Sequence, residues 1–319
     1  MGRAQTRALG SDAVPRVAVI DMGSNSTRLL VADVRDGTVQ ELARETRITR
    51  LAQGVDSTGS LAEEAVDRVL AALADYRAEI DRLGAARVTA VATSAVRDAD
   101  NGAEFLATLR ERFGFEAQIL SGDEEARLTF LGATAARPSG GDPTLVLDIG
   151  GGSTEFVVGV AGEDPAFHVS AQAGAVRQTE RHVTGDPPPR EDLQALALEA
   201  SEIIAAAVPQ DLRRSTKSGI AVAGTATSVA AIDQELDPYD PERVHGYELQ
   251  LAACERILAL LAELPEDERR RVKGLHPDRA PTIVAGVVIL IEAMRAFGLE
   301  AMETSEADIL HGAALSSIT

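Results

Sequence analysis

One short pattern occurs twice in this chain: an apolar run ending in Asp, a turn built from Gly and Ser, then Ser-Thr and a second apolar run. Aligning Asp21 with Asp148, 148 − 21 = 127 residues apart, also pairs Gly23 with Gly150, Ser26 with Ser153, Thr27 with Thr154 and Val31 with Val158. Each copy reads as strand, tight turn, strand. We read the recurrence as a duplicated unit, one per domain. Two chance turns explain it less well, because strand, Asp, Gly, Ser-Thr and strand recur in order. The length of 319 residues exceeds the usual size of one core and agrees with two.

The rest alternates strands and helices, which is the α/β class. In the first half, strands are expected at Arg16–Asp21, Thr27–Val34, Thr38–Thr49, Arg87–Thr93 and Phe115–Leu120, with helices at Ser60–Gly84, at Gly102–Phe113 and from Ser121 onward. Ser60 and Glu63 read as a capping box and Gly84 as a stop. Val66, Val69, Leu70, Leu73, Ile80 and Leu83 form that helix's apolar stripe. Arg137–Pro143 reads as a loop between the halves. Beyond it, strands are expected at Thr144–Asp148, Ser153–Val160 and Gly219–Ala223. Helices are expected at Ala175–Val183, Glu191–Ala207, Thr225–Glu235, Leu249–Leu261 and Pro281–Phe297, and last at Glu306–Ile318 with Ser305 as its cap.

Charge limits the partners. The net charge is 31 − 50 = −19, whereas non-specific nucleic-acid binding needs a basic surface. Lys occurs only at Lys217 and Lys273, so positive charge is almost all Arg, which suits bidentate phosphate contacts. The single Cys254 forbids an intrachain disulfide and no Cys cluster suggests a metal. Residues 1–15 hold no apolar core of a signal peptide. The match of Met1–Thr6 to a myristoylation pattern reads as incidental. Ile283–Ile291 is roughly half the ~20 residues a membrane span needs and reads as a buried helix. The expectation is a cytoplasmic protein with neither nucleic acid nor membrane as partner.

The chemistry concentrates in Asp148-Ile149-Gly150-Gly151-Gly152-Ser153-Thr154-Glu155. Consecutive glycines let backbone N–H groups approach an anion with no Cβ in the way, and hydroxyls add donors. Carboxylates beside such a cradle repel a phosphate unless a hard divalent cation sits between them. Phe156-Val157-Val158 continues as a strand, whereas a dinucleotide fingerprint or P-loop runs into a helix. The motif therefore reads as a phosphate-gripping hairpin; a ligand-free Gly-rich hairpin is the competing reading. In the first copy, Asp21-Met22-Gly23-Ser24-Asn25-Ser26-Thr27, side-chain donors replace glycines. A third element is Ser121-Gly122-Asp123-Glu124-Glu125-Ala126-Arg127. Ser121 and Glu124 make a capping box, which leaves Glu125 either to take a proton from an attacking water or merely to complement the helix dipole.

In this order, the three elements resemble the exopolyphosphatase / guanosine pentaphosphate phosphatase (Ppx/GppA) family over most of residues 16–315. So do Ala92–Arg97, Gly174–Glu180, Gly219–Thr225, His245–Tyr247 and Gly274–Arg279. The resemblance implies a two-domain actin-like ATPase (ribonuclease H-like) α/β fold with an inter-domain active-site cleft. The division expected is a flexible tail at 1–15, a first domain at 16–126 joined by the C-terminal 304–319, and a second domain at 127–303. Glu125 would be the catalytic base. Asp148 and Glu155, with Asp21 nearby, would bind Mg²⁺ (or Mn²⁺). Asn25, Gly150, Gly151 and Ser153 would hold phosphate, to which the turn chemistry itself adds Ser24, Ser26 and Gly152, and Arg97 and Arg279 would face the anionic substrate. The implied activity is removal of terminal phosphates from inorganic polyphosphate, short chains above all, by in-line attack of water. The alternatives are a guanosine pentaphosphate (pppGpp) 5′-phosphohydrolase and a catalytically weak regulatory protein that binds polyphosphate or a nucleotide. A homodimer is implied by the family alone. The chain departs from the pattern in two places: the loop Gly224-Thr225-Ala226-Thr227 is glycine-poor for an adenosine pocket, and Leu310-His311-Gly312 stands where a Leu-Arg-Glu-Gly-like run is expected.

Overall fold

The computed structural model describes residues 14–318, so the expected flexible tail falls almost wholly, and the Met1–Thr6 pattern wholly, outside the described residues. Strands β1 (Arg16–Met22), β2 (Ser26–Arg35), β3 (Thr38–Ile48), β4 (Arg87–Ala92) and β5 (Ala117–Ile119) form one sheet in the order β3-β2-β1-β4-β5. Strands β6 (Gly140–Ile149), β7 (Thr154–Ala161), β8 (Phe167–Ala171), β9 (Ser218–Val222), β10 (Glu248–Gln250) and β11 (Ala301–Thr304) form a second, in the order β10-β11-β9-β6-β7-β8. Read from the third strand of each meander, β8-β7-β6-β9-β11 repeats β3-β2-β1-β4-β5. Pairing directions also match: two antiparallel steps, then two parallel ones. β10 is added antiparallel at the edge. The repeat seen in the sequence is thus a repeat of topology.

Strand alternation sorts the cores. On β1, Ala18, Ile20 and Met22 pack toward the Glu63–Leu83 helix, while Val17 and Val19 pack toward the C-terminal Ile309–Ser316 helix. In the second sheet, Leu145, Leu147, Phe156 and Val158 join the largest core with the Ile283–Phe297 helix, whose apolar residues are nearly all buried. No described helix is long and apolar enough to cross a membrane. The Gly122–Thr134 helix serves both sheets: Leu128 packs with Val17 and Ile309, whereas Ala126, Phe130 and Ala133 pack on Val146, Val157 and Ile220. A division at residue 126 therefore falls inside a helix. This helix meets the C-terminal one backbone to backbone. A Cβ at Gly132 would lie 1.9 Å from the Asp308 carbonyl oxygen, and one at Gly312 would lie 1.8 Å from that of Leu128.

Several expected boundaries are corrected. The Ser60/Glu63 capping box does not form; the helix starts at Glu63 after an uncapped Ala62. Asn101 instead pins the approach, its side chain exchanging two hydrogen bonds with the Leu61 backbone at 2.8 and 3.0 Å. The last helix starts at Ile309, not Glu306. Asp308 caps it through the Leu310 N–H, while Ser305 holds a turn at Ala307. The supposed loop Arg137–Pro143 already contributes to β6, whose pairing begins at Gly140 across from Ala161. Leu249 lies in β10, and the following helix begins at Leu251. The capping box at Ser121 and Glu124 is present in full.

Candidate active site

The two repeated hairpin turns face each other. In each, the first Gly donates to the Ser three residues on: Gly23 N–H to Ser26 at 2.9 Å, and Gly150 N–H to Ser153 at 3.0 Å. Glycine is needed where the turns meet, because a Cβ at Gly151 would lie 3.0 Å from the Asn25 backbone nitrogen and 3.1 Å from the Ser24 Cβ. Each turn has its carbonyls withdrawn by neighbouring backbone. Ala175 N–H donates to Gly150, and Val176 and Arg177 N–H to Gly151, at 2.9–3.1 Å, all from the first turn of the Ala175–His182 helix. Thr49 and Arg50 N–H donate to Asn25, and Ala52 N–H to Ser24, at 2.9–3.0 Å. Carbonyl dipoles that would repel an anion are thereby occupied.

The acids come from strand ends in matching register. Asp21 lies opposite Arg28 across β1 and β2, and Asp148 lies opposite Glu155 across β6 and β7. The same topological position thus carries a cation in one copy and an anion in the other. Arg28 donates to Asp21 Oδ2 from Nε at 3.0 Å and Nη2 at 2.6 Å, and its Nη1 pairs with Asp308. Among the described residues, Asp21 Oδ1 is buried without a hydrogen-bond partner. Glu155 Oε1 accepts from Ser153 at 2.7 Å and Ser170 at 2.8 Å. Glu125, 8% exposed at the start of its helix, has Oε2 3.3 Å from Arg97 Nη1.

Burial pushes the Glu125 and Asp148 carboxyls well above the ordinary range, and the neighbouring Glu155 charge pushes them further; Arg97 opposes this at Glu125 and Arg28 opposes it at Asp148. Glu155 and Asp21 are also raised by burial, against the hydroxyls of Ser153 and Ser170 and against Arg28 respectively. Such a set of buried acids is short of positive charge beyond Arg28 and Arg97, and a divalent cation would supply it. Among the described residues, no three His, Cys, Asp or Glu side chains meet as a ready metal-binding group. Asp148, Glu155 and the Asp21 Oδ1, which has no hydrogen-bond partner among the described residues, are the groups that could hold a hard divalent cation, which commonly takes one or two carboxylates and completes its shell with water and substrate phosphate.

The acids and both turns enclose a cavity of about 80 Å³. Of the residues expected at the site, Asp21, Ser24, Asn25, Ser26, Glu125, Asp148, Gly150, Gly151, Ser153, Glu155 and Arg279 line it. Arg97 and Gly152 do not. Arg97 turns to the Leu120 carbonyl at 2.8 Å and to Glu125, and the Gly152 carbonyl is held by Arg177 Nε at 2.7 Å. The Arg279 guanidinium packs against Gly224 and has no hydrogen bond or ion pair among the described residues; burial and the nearby Arg28 lower its pKa. Arg28, Ala223, Gly224 and Arg279 also wall a second cavity of about 1110 Å³, which Arg44, Arg270, Arg271 and Lys273 line together with Glu41, Asp237, Glu242, Glu306 and Asp308. Arg28, Ser170, Arg177 and Asp308 escaped the sequence reading. Arg28 had a signal, since it aligns with Glu155 in the repeat, and Arg177 lay in a stretch already noted; Asp308 had none.

One sheet topology used twice, with both inner hairpin turns on one acidic cleft, is an actin-like α/β fold. The chain belongs to the Ppx/GppA phosphatase family, whose pattern matches residues 30–319. It is 38% identical to exopolyphosphatase 2 of Mycobacterium tuberculosis, over 95% of this chain and 99% of that protein. Among solved structures it resembles the Aquifex aeolicus member of the Ppx/GppA family, with a TM-score of 0.79 and 30% identity over 95% of this chain and 97% of that one. It also resembles an exopolyphosphatase from Cytophaga hutchinsonii, with a TM-score of 0.85 and 26% identity over 95% of this chain and 99% of that one.

Proposed function

We propose that this protein is an exopolyphosphatase that hydrolyses the terminal phosphoanhydride of inorganic polyphosphate, short chains above all. The observation that carries the reading is the gathering of Glu125, Asp148 and Glu155 around the paired turns, with Arg279, which has no ion pair among the described residues, on the same cavity. The terminal phosphoryl group would sit between the turns, held by Ser24, Asn25 and Ser26 on one side and by the Gly150–Ser153 turn on the other. Asp148, Glu155 and Asp21 would hold Mg²⁺ or Mn²⁺, which when bound would neutralise phosphoryl oxygens and polarise the bond. Glu125 orients a water in line and takes its proton as the P–O bond to the leaving chain breaks. Arg97 keeps the Glu125 carboxylate directed and favours its charged form. No covalent intermediate is needed, since phosphoryl transfer rests on positioning and charge stabilisation. Arg279 would meet the next phosphate, and the larger cavity with Arg44, Arg270, Arg271 and Lys273 would take the rest of the chain.

That cavity supports one rival substrate. Leu236, Tyr239 and Val272 also line it, and an apolar wall beside basic groups suits the nucleoside of pppGpp. A merely regulatory binder is disfavoured by the intact Glu125, Asp148 and Glu155. The two sheets would act as two domains, 16–126 with 304–319 and 127–303, moving about the shared Gly122–Thr134 helix. A homodimer is proposed on family likeness, and a cytoplasmic location on the free, buried Cys254. The test is phosphate release from polyphosphates of several lengths, pppGpp and ATP, with Mg²⁺ and with chelator. Metal-dependent turnover led by polyphosphate is expected; a clear preference for pppGpp, or no turnover at all, would overturn the reading.

A further inference from the structure

We propose that Arg177 is a positioning residue that sets the gap between the two phosphate-facing turns; this rests on reading those turns as the substrate grip. Its guanidinium has three attachments. Nε donates to the Gly152 carbonyl at 2.7 Å, so one edge holds the second turn directly. Nη1 pairs with Asp56 on the short Val55–Thr58 helix, and Nη2 lies 3.7 Å from Asp98 Oδ2.

Both acids belong to elements that carry the first turn. The residues just before Asp56 donate three backbone hydrogen bonds into it, from Thr49 and Arg50 to Asn25 and from Ala52 to Ser24. Asp98 ends the Ser94–Arg97 helix, in which Ser94 Oγ is 2.8 Å from Ser24 Oγ and Arg97 reaches Glu125. One planar, rigid fork therefore ties the second turn to the first turn and to the element that directs the base. The Arg177 side chain is 15% exposed and its bond to Gly152 is part-buried, whereas Asp56 and Asp98 are 38% and 36% exposed, so solvent screens the two acid ties more than the carbonyl one. The turns already touch at Gly151 and Gly152, where a Cβ would lie 3.0 Å from first-turn atoms. A Lys at this position keeps the charge but not the fork, and cannot hold all three partners at once.

The experiment compares Arg177→Ala, Arg177→Lys and Asp56→Asn in the full chain by two readouts. The first is hydrogen exchange without substrate. Arg177→Ala is expected to raise exchange in 49–58 and 150–154 together while leaving the central strands protected; wild-type exchange in either segment would overturn the proposal. If Arg177→Ala does not fold, Asp56→Asn carries this readout over 49–58. The second is steady-state phosphate release. Arg177→Ala should lower kcat about 10- to 100-fold, the scale of a small misplacement of reacting groups, with little change in KM, and Arg177→Lys should fall between it and wild type. Asp56→Asn should add nothing to Arg177→Ala, since Asp56 acts through Arg177; losses that multiply would contradict this. A wild-type protein without turnover would sink the exopolyphosphatase reading, while the exchange result would still decide the role of Arg177.

Discussion

Replacing Gly224 by Ala tests whether Arg279 serves the substrate, without touching its charge. The new Cβ would lie 1.8 Å from Arg279 Nη1, 1.9 Å from Cζ and 2.1 Å from Nη2, against ordinary contact from 3.4 Å outward. The guanidinium must retreat by about 3.4 − 1.8 = 1.6 Å. The obstacle is the far end of a flexible side chain, so the fold can yield. Residue 224 is also in the first turn of the Ala223–Asp233 helix, where Ala is better than Gly by roughly 0.5–1 kcal/mol. Stability should therefore hold or rise slightly. What is lost is a charge-assisted hydrogen bond to phosphate, worth about 1.5–3 kcal/mol, or about 10- to 150-fold in kcat/KM. Phosphate release from polyphosphate gives the rate and a thermal melt the fold. Arg279→Ala should fall in the same range, and the double variant should be no worse than Arg279→Ala alone. A folded Gly224→Ala protein with wild-type kcat/KM, or losses that multiply in the double variant, would refute the reasoning.

Glu125→Gln should lose about 10²–10⁴-fold in kcat while its melting temperature holds or rises, because a repelled buried charge is removed; near-normal turnover by the folded variant would remove Glu125 from the mechanism. Gly132→Ala sets a Cβ 1.9 Å from the Asp308 backbone oxygen, which cannot swing aside, and should cost about 1–3 kcal/mol or more in chemical denaturation. Glu125, Asp148 and Glu155 are all raised, so the folded protein binds more protons than the unfolded chain between the ordinary carboxylate range and the raised values. Metal-free stability should then fall as pH rises through that interval. Urea titrations at several pH values should show this slope with chelator and its flattening with Mg²⁺.

Much of this was legible because it is local. The Asp-Gly-Ser-Thr repeat announced both hairpins, and Ser121 with Glu124 announced the helix that carries Glu125. What escaped depends on partners distant in sequence. The Ser60 capping box lost to Asn101, which takes both polar groups of the Leu61 backbone. Asp308, rather than Ser305, caps the last helix and also grips Arg28, 280 residues away in sequence. Arg97 is turned to Glu125 and not to the cavity, a choice made by tertiary packing. Short strands such as Glu248–Gln250 at the sheet edge and Ala301–Thr304 beside it are fixed by their pairing alone. Arg28 was the most recoverable omission, since extending the repeat by one residue sets it opposite Glu155 in the alignment.

The central claim is that both turns close on one metal-bound phosphoryl group. Anomalous diffraction from crystals soaked with Mn²⁺ and pyrophosphate tests it directly. The account requires the metal peak at the carboxylates of Asp148 and Glu155, with a phosphoryl group touching both Ser24–Ser26 and Gly150–Ser153. A metal bound elsewhere, or a phosphate seated outside the paired turns, would contradict it.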